Sequence, residues 1–415
     1  MSRGRRKPKP TPEPPPPPPL PTPTPPVDTS YGTILVPPFD GTEILIAAGA
    51  NIQSAIDAAP SGTRFRLQAG IHPILSAKVP KNGTVLIGEY GAILDGTGWT
   101  SLDTTAAAFR AHNEGINDVT ISNLEIRNMP QQGIHACGNQ CTPNNTGWII
   151  DHCYIHHNRF AVQTGSNAII RYNRLTDNAA PSGTSGAYNI GFADNIEVLH
   201  NEIARNGAET KFGDCTRIWF HDNWVYAQTY NGTWLDGCDD TGADDAHYSV
   251  IENNVYEDIP IFSVFIEISR YVKVRNNTIR RSGWGGVQVG TAHHVLVEGN
   301  SIITPAGGAY AIQLRVDCGR QDFGALDYDL KNNTIQNNTL VGDYSGAITA
   351  LVIDESLTTC DPSYLTNAKQ NNWIGNHYDV SNPAAAIFAW GVNPSPSKTF
   401  AEWQALGQDL AGSIA

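Results

Sequence analysis

A short motif recurs along the chain, and its spacing limits the possible folds more than any other feature. In each copy apolar and polar residues alternate and an asparagine closes the run, as in Val198-Leu-His-Asn201-Glu-Ile and Val274-Arg-Asn-Asn277-Thr-Ile. The aligned asparagines are Asn123, Asn173, Asn201, Asn223, Asn254, Asn277, Asn300 and Asn333, with Cys153 at the equivalent place in one copy. Successive copies are 20 to 33 residues apart, and the shortest spacings exclude a strand–helix–strand unit, which needs about 30 residues. The pattern predicts short strands in a coil whose turns stack on one another.

The asparagine at the end of each run suits a sharp turn in such a coil. Asparagine tolerates the left-handed backbone region better than most residues. When turns stack, the side-chain amides of neighbouring asparagines can also hydrogen-bond to each other in a ladder. We therefore predict one asparagine ladder along the coil.

With these repeats the chain resembles the right-handed parallel β-helix proteins of the pectate-lyase-like superfamily, over roughly residues 40–395. The resemblance implies an all-β fold, a single-stranded right-handed parallel β-helix (a solenoid). Solenoids need caps, because their open ends expose apolar interior and unpaired strand edges. A short helix that begins after Asn51 and an amphipathic segment at Lys398–Leu406 are expected to be the two caps.

The composition divides the chain into two parts. Residues 1–30 contain long proline runs and predict a disordered or extended tether, which we expect to attach the protein to a larger assembly. Residues 31–415 predict one β-helix domain, with a capping helix near 51–59, coils over about 63–395 and a C-terminal cap over about 396–412.

The charge of the chain excludes some partners. The formal net charge is −13, and a protein this acidic is expected to bind nucleic acid poorly, because phosphate contacts need clustered lysines and arginines. No apolar stretch is long enough to span a membrane, and no secretory signal is visible. We expect an extracellular or virion-associated protein whose partner is a polysaccharide.

A second strand precedes each asparagine run, and its middle residues are polar. Because side chains alternate across a strand, these residues should point outward while their apolar neighbours point inward. The predicted outward file is Arg110, His135, Gln163, Asn189, Lys211, Asp236, Glu267, Gln288 and Gln313. Trp234 and Phe265 share this face and can stack on sugar rings. The sequence therefore predicts a glycan-binding groove, to which we also assign Glu209 and Arg270 as substrate-binding residues.

The centre of the file holds Lys211, Asp236 and Glu267, the candidate catalytic residues, and three interpretations of them are open. In a polysaccharide lyase acting on a uronic-acid polymer, Lys211 would remove the proton beside the uronate carboxylate. The resemblance favours this interpretation, because related β-helix lyases use a lysine or arginine base, commonly with calcium. In a glycoside hydrolase, Asp236 and Glu267 would be the carboxylate pair. In a non-catalytic glycan-binding module, such as an adhesin or a phage tail spike, the three would form a surface ion-pair cluster.

An acidic loop follows the candidate site. It places five carboxylates in ten residues, an oxygen-rich arrangement that suits calcium. The expected calcium ligands are Asp236, Asp239, Asp240, Asp244 and Asp245.

Overall fold

Three long sheets, A, B and C, dominate the secondary structure of the computed structural model. Within the described residues two short α-helices, α1 (Ile52–Ala58) and α2 (Phe400–Ala405), and a 3-10 helix (Pro362–Thr366) accompany them. We number the strands β1 to β38 in chain order. The described residues are 38–101, 103–137, 144–179, 185–208, 210–239, 248–303, 310–317, 329–342, 347–353, 360–392 and 397–415.

Sheet A contains, in spatial order, β1 (Ile44–Ile46), β2 (Arg64–Leu67), β4 (Val85–Gly88), β7 (Thr120–Ser122), β10 (Ile149–Asp151), β13 (Ile169–Arg171), β16 (Asp194–Leu199), β19 (Thr216–His221), β22 (Ser249–Glu252), β25 (Arg270–Arg275), β28 (His293–Glu298), β31 (Thr334–Gln336) and β34 (Asn372–Ile374). Sheet B contains β3 (Gly70–Pro73), β5 (Ala92–Asp95), β8 (Glu125–Arg127), β11 (Tyr154–His156), β14 (Arg174–Thr176), β17 (Glu202–Ala204), β20 (Trp224–Tyr226), β23 (Val255–Glu257), β26 (Thr278–Arg280), β29 (Ser301–Ile303), β32 (Thr339–Val341), β35 (His377–Asp379) and β38 (Ser413–Ile414). Sheet C contains β6 (Ala107–Ala111), β9 (Gln132–Ala136), β12 (Phe160–Gln163), β15 (Gly186–Gly191), β18 (Thr210–Gly213), β21 (Thr233–Asp236), β24 (Phe262–Glu267), β27 (Gly285–Gly290), β30 (Tyr310–Val316), β33 (Thr349–Ile353), β36 (Phe388–Val392) and β37 (Ser397–Lys398).

The chain visits sheets A, B and C in turn, and each described strand except β37 pairs in parallel with the strand one coil away. For example, β16 pairs with β19 in sheet A, β17 with β20 in sheet B, and β18 with β21 in sheet C. This arrangement confirms the predicted right-handed parallel β-helix. No described helix has the length and apolar character needed to span a membrane.

The interior of the coil is filled by stacked apolar side chains from the three sheets. In sheet C the inward residues Phe212, Leu235 and Ile266 follow one another on successive rungs and are fully buried. Their outward neighbours remain accessible, because side chains alternate along each strand. The core therefore fixes which residues of sheet C face the solvent.

An asparagine ladder runs along the corner between sheets A and B, as predicted. Each asparagine donates from both its side-chain amide and its backbone N–H to the Oδ1 of the ladder asparagine on the next coil. Asn223, for example, donates in this way to Asn254. The members are Asn173, Asn201, Asn223, Asn254, Asn277, Asn300, Asn338 and Asn376. Cys153 precedes them at the equivalent place, since its backbone N–H donates to Asn173.

Two of the aligned asparagines were wrong, and so was the expected left-handed backbone at every aligned asparagine except Asn123. Asn123 lies one residue before the ladder position, and Asn338 takes the place assigned to Asn333. The left-handed residue of each turn is the one before the ladder asparagine, such as Asn253 before Asn254. The ladder residues are therefore selected for their buried amides and not for their backbone conformation.

Both ends of the coil are covered. Asn51 caps α1 by accepting from the Ser54 N–H, and Ile52 and Ile56 of this helix are buried. At the other end Thr399 and Glu402 form a capping box on α2, and Trp403 is fully buried. Both capping helices lie where the sequence predicts them. The tether over residues 1–30 lies outside the described residues and stays a prediction.

Candidate functional site

The outer face of sheet C carries two parallel columns of residues. Hydrogen-bonded register places the first column at Arg110, His135, Gln163, Asn189, Lys211, Trp234, Phe265, Gln288 and Gln313. The second column, two residues further along each strand, holds Gly191, Gly213, Asp236, Glu267, Gly290 and Arg315.

The predicted single file is therefore wrong at two of its nine places. Asp236 pairs with Gly213 and Glu267, while Lys211 pairs with Trp234. The prediction assigned inward and outward residues correctly, but it aligned β21 and β24 two residues away from their observed register with β18. All three candidate catalytic residues still lie on the same outer face.

Lys211 and Asp236 meet diagonally between the two columns. The Lys211 Nζ is 2.6 Å from the Asp236 Oδ2, and it also lies 4.2 Å from the centroid of the Trp234 ring. About a fifth of the Lys211 side chain is exposed. The ammonium group thus donates to a carboxylate, whereas a base would have to offer a lone pair to the substrate.

Glu267 is held in place by an aromatic pair. The Trp234 Nε1 donates to the Glu267 Oε2 at 3.0 Å, and the Trp234 ring stacks on Phe265 with centroids 5.7 Å apart. Glu267 is only 8% exposed although it lies on the outer face. The Trp234 N–H therefore fixes the direction of the carboxylate, and Phe265 holds the Trp234 ring in place by stacking on it.

Asp214 is a third acidic residue of the site that the sequence prediction missed. It follows Gly213, and its backbone N–H donates to the Asp236 carbonyl at 2.9 Å. Burial, followed by the charge of Asp236, raises the pKa of the Asp214 carboxyl, and Lys211 opposes this shift. Asp214, Asp236 and Glu267 thus stand on three successive rungs.

The residues beside the carboxylates in the second column are small. Gly191 and Gly213 precede Asp236, and Gly290 follows Glu267. A Cβ on Gly290 would come within 3.3 Å of the Phe265 ring, which is tighter than an ordinary contact. The glycines leave the backbone open on both sides, so the two carboxylates stand in a shallow trough.

Two clefts open along this trough. The proximal cleft, with a volume of about 490 Å³, is lined by residues that include Gln132, His135, Gln163, Asn189, Lys211 and Asp214. The distal cleft, about 180 Å³, is lined by residues that include Tyr230, Phe265, Glu267, Trp284, Gln288 and Arg315. Asp214 lines the proximal cleft and Glu267 the distal one, so the carboxylate cluster lies between the two clefts, and an extended chain could occupy both.

The other predicted substrate-binding residues are placed as follows. Arg110 forms ion pairs with Asp103 and Glu114 at 3.7 and 3.4 Å. Gln288 donates to Gln313 at 2.6 Å in the first column. Arg270 begins β25 of sheet A and lines neither cleft. Glu209 lies outside the described residues.

The predicted calcium ligands are only partly described. Asp239 forms an ion pair with Arg270, and Asp236 is paired with Lys211. Asp240, Asp244 and Asp245 lie outside the described residues. In the part of the chain that the structure describes, no three acidic, histidine or cysteine residues are grouped as a metal ion requires. The calcium site stays a prediction.

Comparison with known families supports the architecture. The model of the family described as "Right handed beta helix region" matches residues 229–391. No curated protein matches the chain.

Several solved structures share the fold at low sequence identity. The A-module of a mannuronan C-5 epimerase from Azotobacter vinelandii is 14% identical, with a TM-score of 0.53, over 88% of this chain and 93% of that one. A family 28 exopolygalacturonase from Yersinia enterocolitica is 11% identical, with a TM-score of 0.53, over 84% and 78%. The catalytic domain of a GH87 α-1,3-glucanase, solved with nigerose, is 11% identical, with a TM-score of 0.51, over 92% and 70%. At such identities the likeness shows the fold alone.

Proposed function

We propose that this right-handed parallel β-helix protein hydrolyses glycosidic bonds of a polysaccharide that lies along the outer face of sheet C. The observation that carries the proposal is the cluster of three carboxyl groups, Asp214, Asp236 and Glu267, on successive rungs beside Lys211. Glycoside hydrolysis needs two carboxyl groups in different protonation states, one as an acid and one as a base or nucleophile.

The surroundings of the carboxyl groups divide these roles. Asp214 has a raised pKa, because it is partly buried next to the Asp236 charge, and it is the candidate general acid. Asp236 accepts from the Lys211 ammonium and is the candidate base or nucleophile. Glu267, oriented by the Trp234 N–H, would position the sugar or the attacking water. When two neighbouring carboxyl groups lie in different environments, their pKa values differ, and this difference indicates which group is the acid and which is the base.

The groove also has features that suit an extended glycan. The clefts lie on either side of the carboxylates along the coil axis, and amide side chains that can bind hydroxyl groups line them. The Trp234 and Phe265 rings offer an apolar surface beside these polar groups, which suits the faces of sugar rings.

A lyase is the second candidate, because Lys211 lies in the same groove, beside Asp236. It would need Lys211 to leave its ion pair and a cation to neutralise the substrate carboxylate. We propose that a calcium ion, if the reaction uses one, would bind near Asp236 and the acidic segment that follows it. Hydrolysis needs neither step, so the observed ion pair favours it.

Digestion of a panel of polysaccharides tests these alternatives. Reducing ends should appear without the absorbance of an unsaturated uronate. Unsaturated products that no longer form when a chelator is present would instead establish the lyase. Binding of a glycan without any cleavage would establish a binding module.

Substitutions test the assignment of residues. Asp214→Asn, Asp236→Asn and Glu267→Gln should each lower kcat by about 10²- to 10⁴-fold, the usual effect of losing a general acid or base. Asp379→Asn, at an exposed position at the end of β35 in sheet B, is the matched control and should keep full activity. Full activity in all three groove variants would contradict the proposal.

A further inference from the structure

The proximal cleft has the size and lining of a ligand site. Its volume of about 490 Å³ falls within the roughly 300–1,000 Å³ range of small-molecule pockets. It spans the rungs of β9, β12, β15 and β18, so it lies on one side of the carboxylate cluster along the coil axis. Its walls contribute amides and imidazoles as well as the Lys211 and Asp214 side chains.

A hydrogen-bonded network fixes the polar groups of this cleft. The His135 Nδ1 lies 2.7 Å from the Gln163 Oε1, and the His112 Nδ1 lies 3.3 Å from the His135 Nε2. The Gln132 Nε2 donates to the same Gln163 oxygen at 3.2 Å and to the Thr104 carbonyl at 2.8 Å. Burial lowers the pKa of His135 to about 4, so the imidazole is neutral near pH 7. Because the Gln163 oxygen accepts from two neighbours, its amide nitrogen is left as a donor.

One acceptor in the cleft has no partner. The Gln132 Oε1 is buried and has no hydrogen bond among the described residues, and Gln132 as a whole is 5% exposed. A buried amide oxygen without a partner costs free energy, which a ligand hydroxyl would recover. A sugar hydroxyl carries both a donor and lone pairs, so it can accept from the Gln163 amide, and a small rotation of the Gln132 side chain would open its Oε1 to the same hydroxyl.

Two of the cations around this cleft have acidic partners. Lys211 is paired with Asp236 at 2.6 Å, and Arg110, nearby in the first column, is shared between two acidic residues. The third cation, Arg159, donates from its Nη1 to the Gln131 Oε1 at 2.9 Å. A carboxylate brought beside Lys211 or Arg110 would have to displace an existing acidic partner, and the net charge of −13 repels it further.

We infer that the proximal cleft is a subsite for neutral, hydroxyl-rich sugar units, so that the polysaccharide cut in this groove is a neutral glycan and not a uronic-acid polymer. This inference rests on the proposed function, whose substrate it names. It departs from the uronate substrate that the sequence suggests, because a uronate carboxylate would have to compete with the acidic partners of Lys211 and Arg110, whereas sugar hydroxyls can bind the amides directly.

Calorimetry on the full chain tests the inference. Glu267→Gln is used as the background, since it should block cleavage while leaving the Lys211–Asp236 ion pair intact. The probes are neutral hexasaccharides of glucose, galactose, mannose and xylose, and hexamers of galacturonate, mannuronate and guluronate. At least one neutral probe should bind about tenfold or more tightly than any uronate probe.

Variants of Gln163 locate the subsite. Gln163→Ala should weaken neutral binding by about tenfold or more, and Gln336→Ala, in β31 of sheet A, should leave it unchanged. Gln163→Arg adds an unpaired cation and should raise the affinity for uronate hexamers. If Gln163→Ala lowers the unfolding midpoint, Gln163→Glu supplies a nearly isosteric variant without the amide donor.

Three results overturn the inference. A uronate probe binds more tightly than every neutral probe, the Gln163 variants leave the affinity for neutral probes unchanged, or no probe binds at all. Failure of the proposed function looks different. If neutral probes bind in a way that depends on Gln163 but the wild-type chain cleaves nothing, the hydrolase proposal fails and the subsite stands. If the chain hydrolyses a uronate polymer, the hydrolase proposal stands and the neutral substrate is wrong.

Discussion

Single buried amides carry much of the hydrogen bonding at the corner between sheets A and B. Asn254 accepts from the Asn223 backbone and side chain, and its own amide donates to the Phe220 carbonyl and to Asn277. Each such side chain therefore satisfies groups on three coils, which is why an apolar residue of the same size cannot replace it.

Removal of one ladder amide should destabilise the coil strongly. Asn254→Ala leaves several buried polar groups without partners, and we expect the free energy of unfolding to fall by about 3 kcal/mol. Urea unfolding measures this loss. The control is Asn253→Gly, an exposed position with positive φ that glycine adopts freely, which should be nearly neutral. Equal stability of the two variants would contradict the ladder's role.

Protonation of His135 should make the stability depend on pH. Its pKa is about 4 in the folded chain, below the usual 6.5, so the unfolded chain binds the extra proton between these values. Stability should therefore fall as the pH is lowered from 6.5 to 4, by up to about 3 kcal/mol from this group. Urea unfolding of the wild type and His135→Gln should give curves that are parallel above pH 7 and diverge below it. Parallel curves down to pH 4 would show that His135 does not titrate in this way.

The register of the site shows where residue-level prediction reaches its limit. A shift of one residue exchanges the inward and outward faces and is easily detected, but a shift of two preserves both. The alignment of Lys211 with Asp236 contains such a shift of two. Cys215 and Cys238 would have corrected it, since their thiols make equivalent contacts to backbone carbonyls one coil away. Asp214 escaped notice because it follows the strand in a turn.

At the scale of elements, the short strands and both caps could be predicted because local rules determine them. The alternation of apolar and polar residues predicts the strands, and the Asn51 N-cap followed by apolar residues predicts α1. The second ladder, Asn158, Asn178 and Asn206, was not predicted, because its members lie in turns of variable sequence. Long-range stacking, and not local propensity, makes those positions equivalent.

The C-terminal cap should contribute strongly to stability through one side chain. Trp403 of α2 packs against Trp373, Phe388 and Trp390, with ring centroids 5.0 to 5.7 Å apart. Trp403→Ala should lower the free energy of unfolding by about 3–5 kcal/mol, because it leaves a cavity under the cap. Leu410→Ala, at a site that is 72% exposed, should cost little. Thermal unfolding of the two variants decides whether the cap is energetically part of the coil.

At the scale of the whole molecule, the coil is one continuous stack, and its caps and groove are built within residues 38–415. The proline-rich tether, residues 1–30, precedes this region in the sequence. We predict that its role in attachment to a larger assembly is separable from catalysis.

Deletion of residues 1–30 tests this separation. Activity on a soluble oligosaccharide should be unchanged, and the unfolding midpoint should move by less than about 2 °C, the shift expected for a change well under 1 kcal/mol. The matched comparison is the full-length chain under the same conditions. A large loss of activity would show that the tether takes part in the groove.

The two ends of the stack are chemically unlike. At the C-terminal end, β37 turns back antiparallel on β36 and closes the edge of sheet C. At the N-terminal end, β1 and β3 are outermost in their sheets, with Leu45 and Ile71 about half exposed. A filament grows only when the front of one subunit accepts the back of the next. Since the reversed strand offers no continuing parallel edge in sheet C, while β34 and β38 stay outermost in sheets A and B, front-to-back growth by strand pairing is blocked in one sheet of the three.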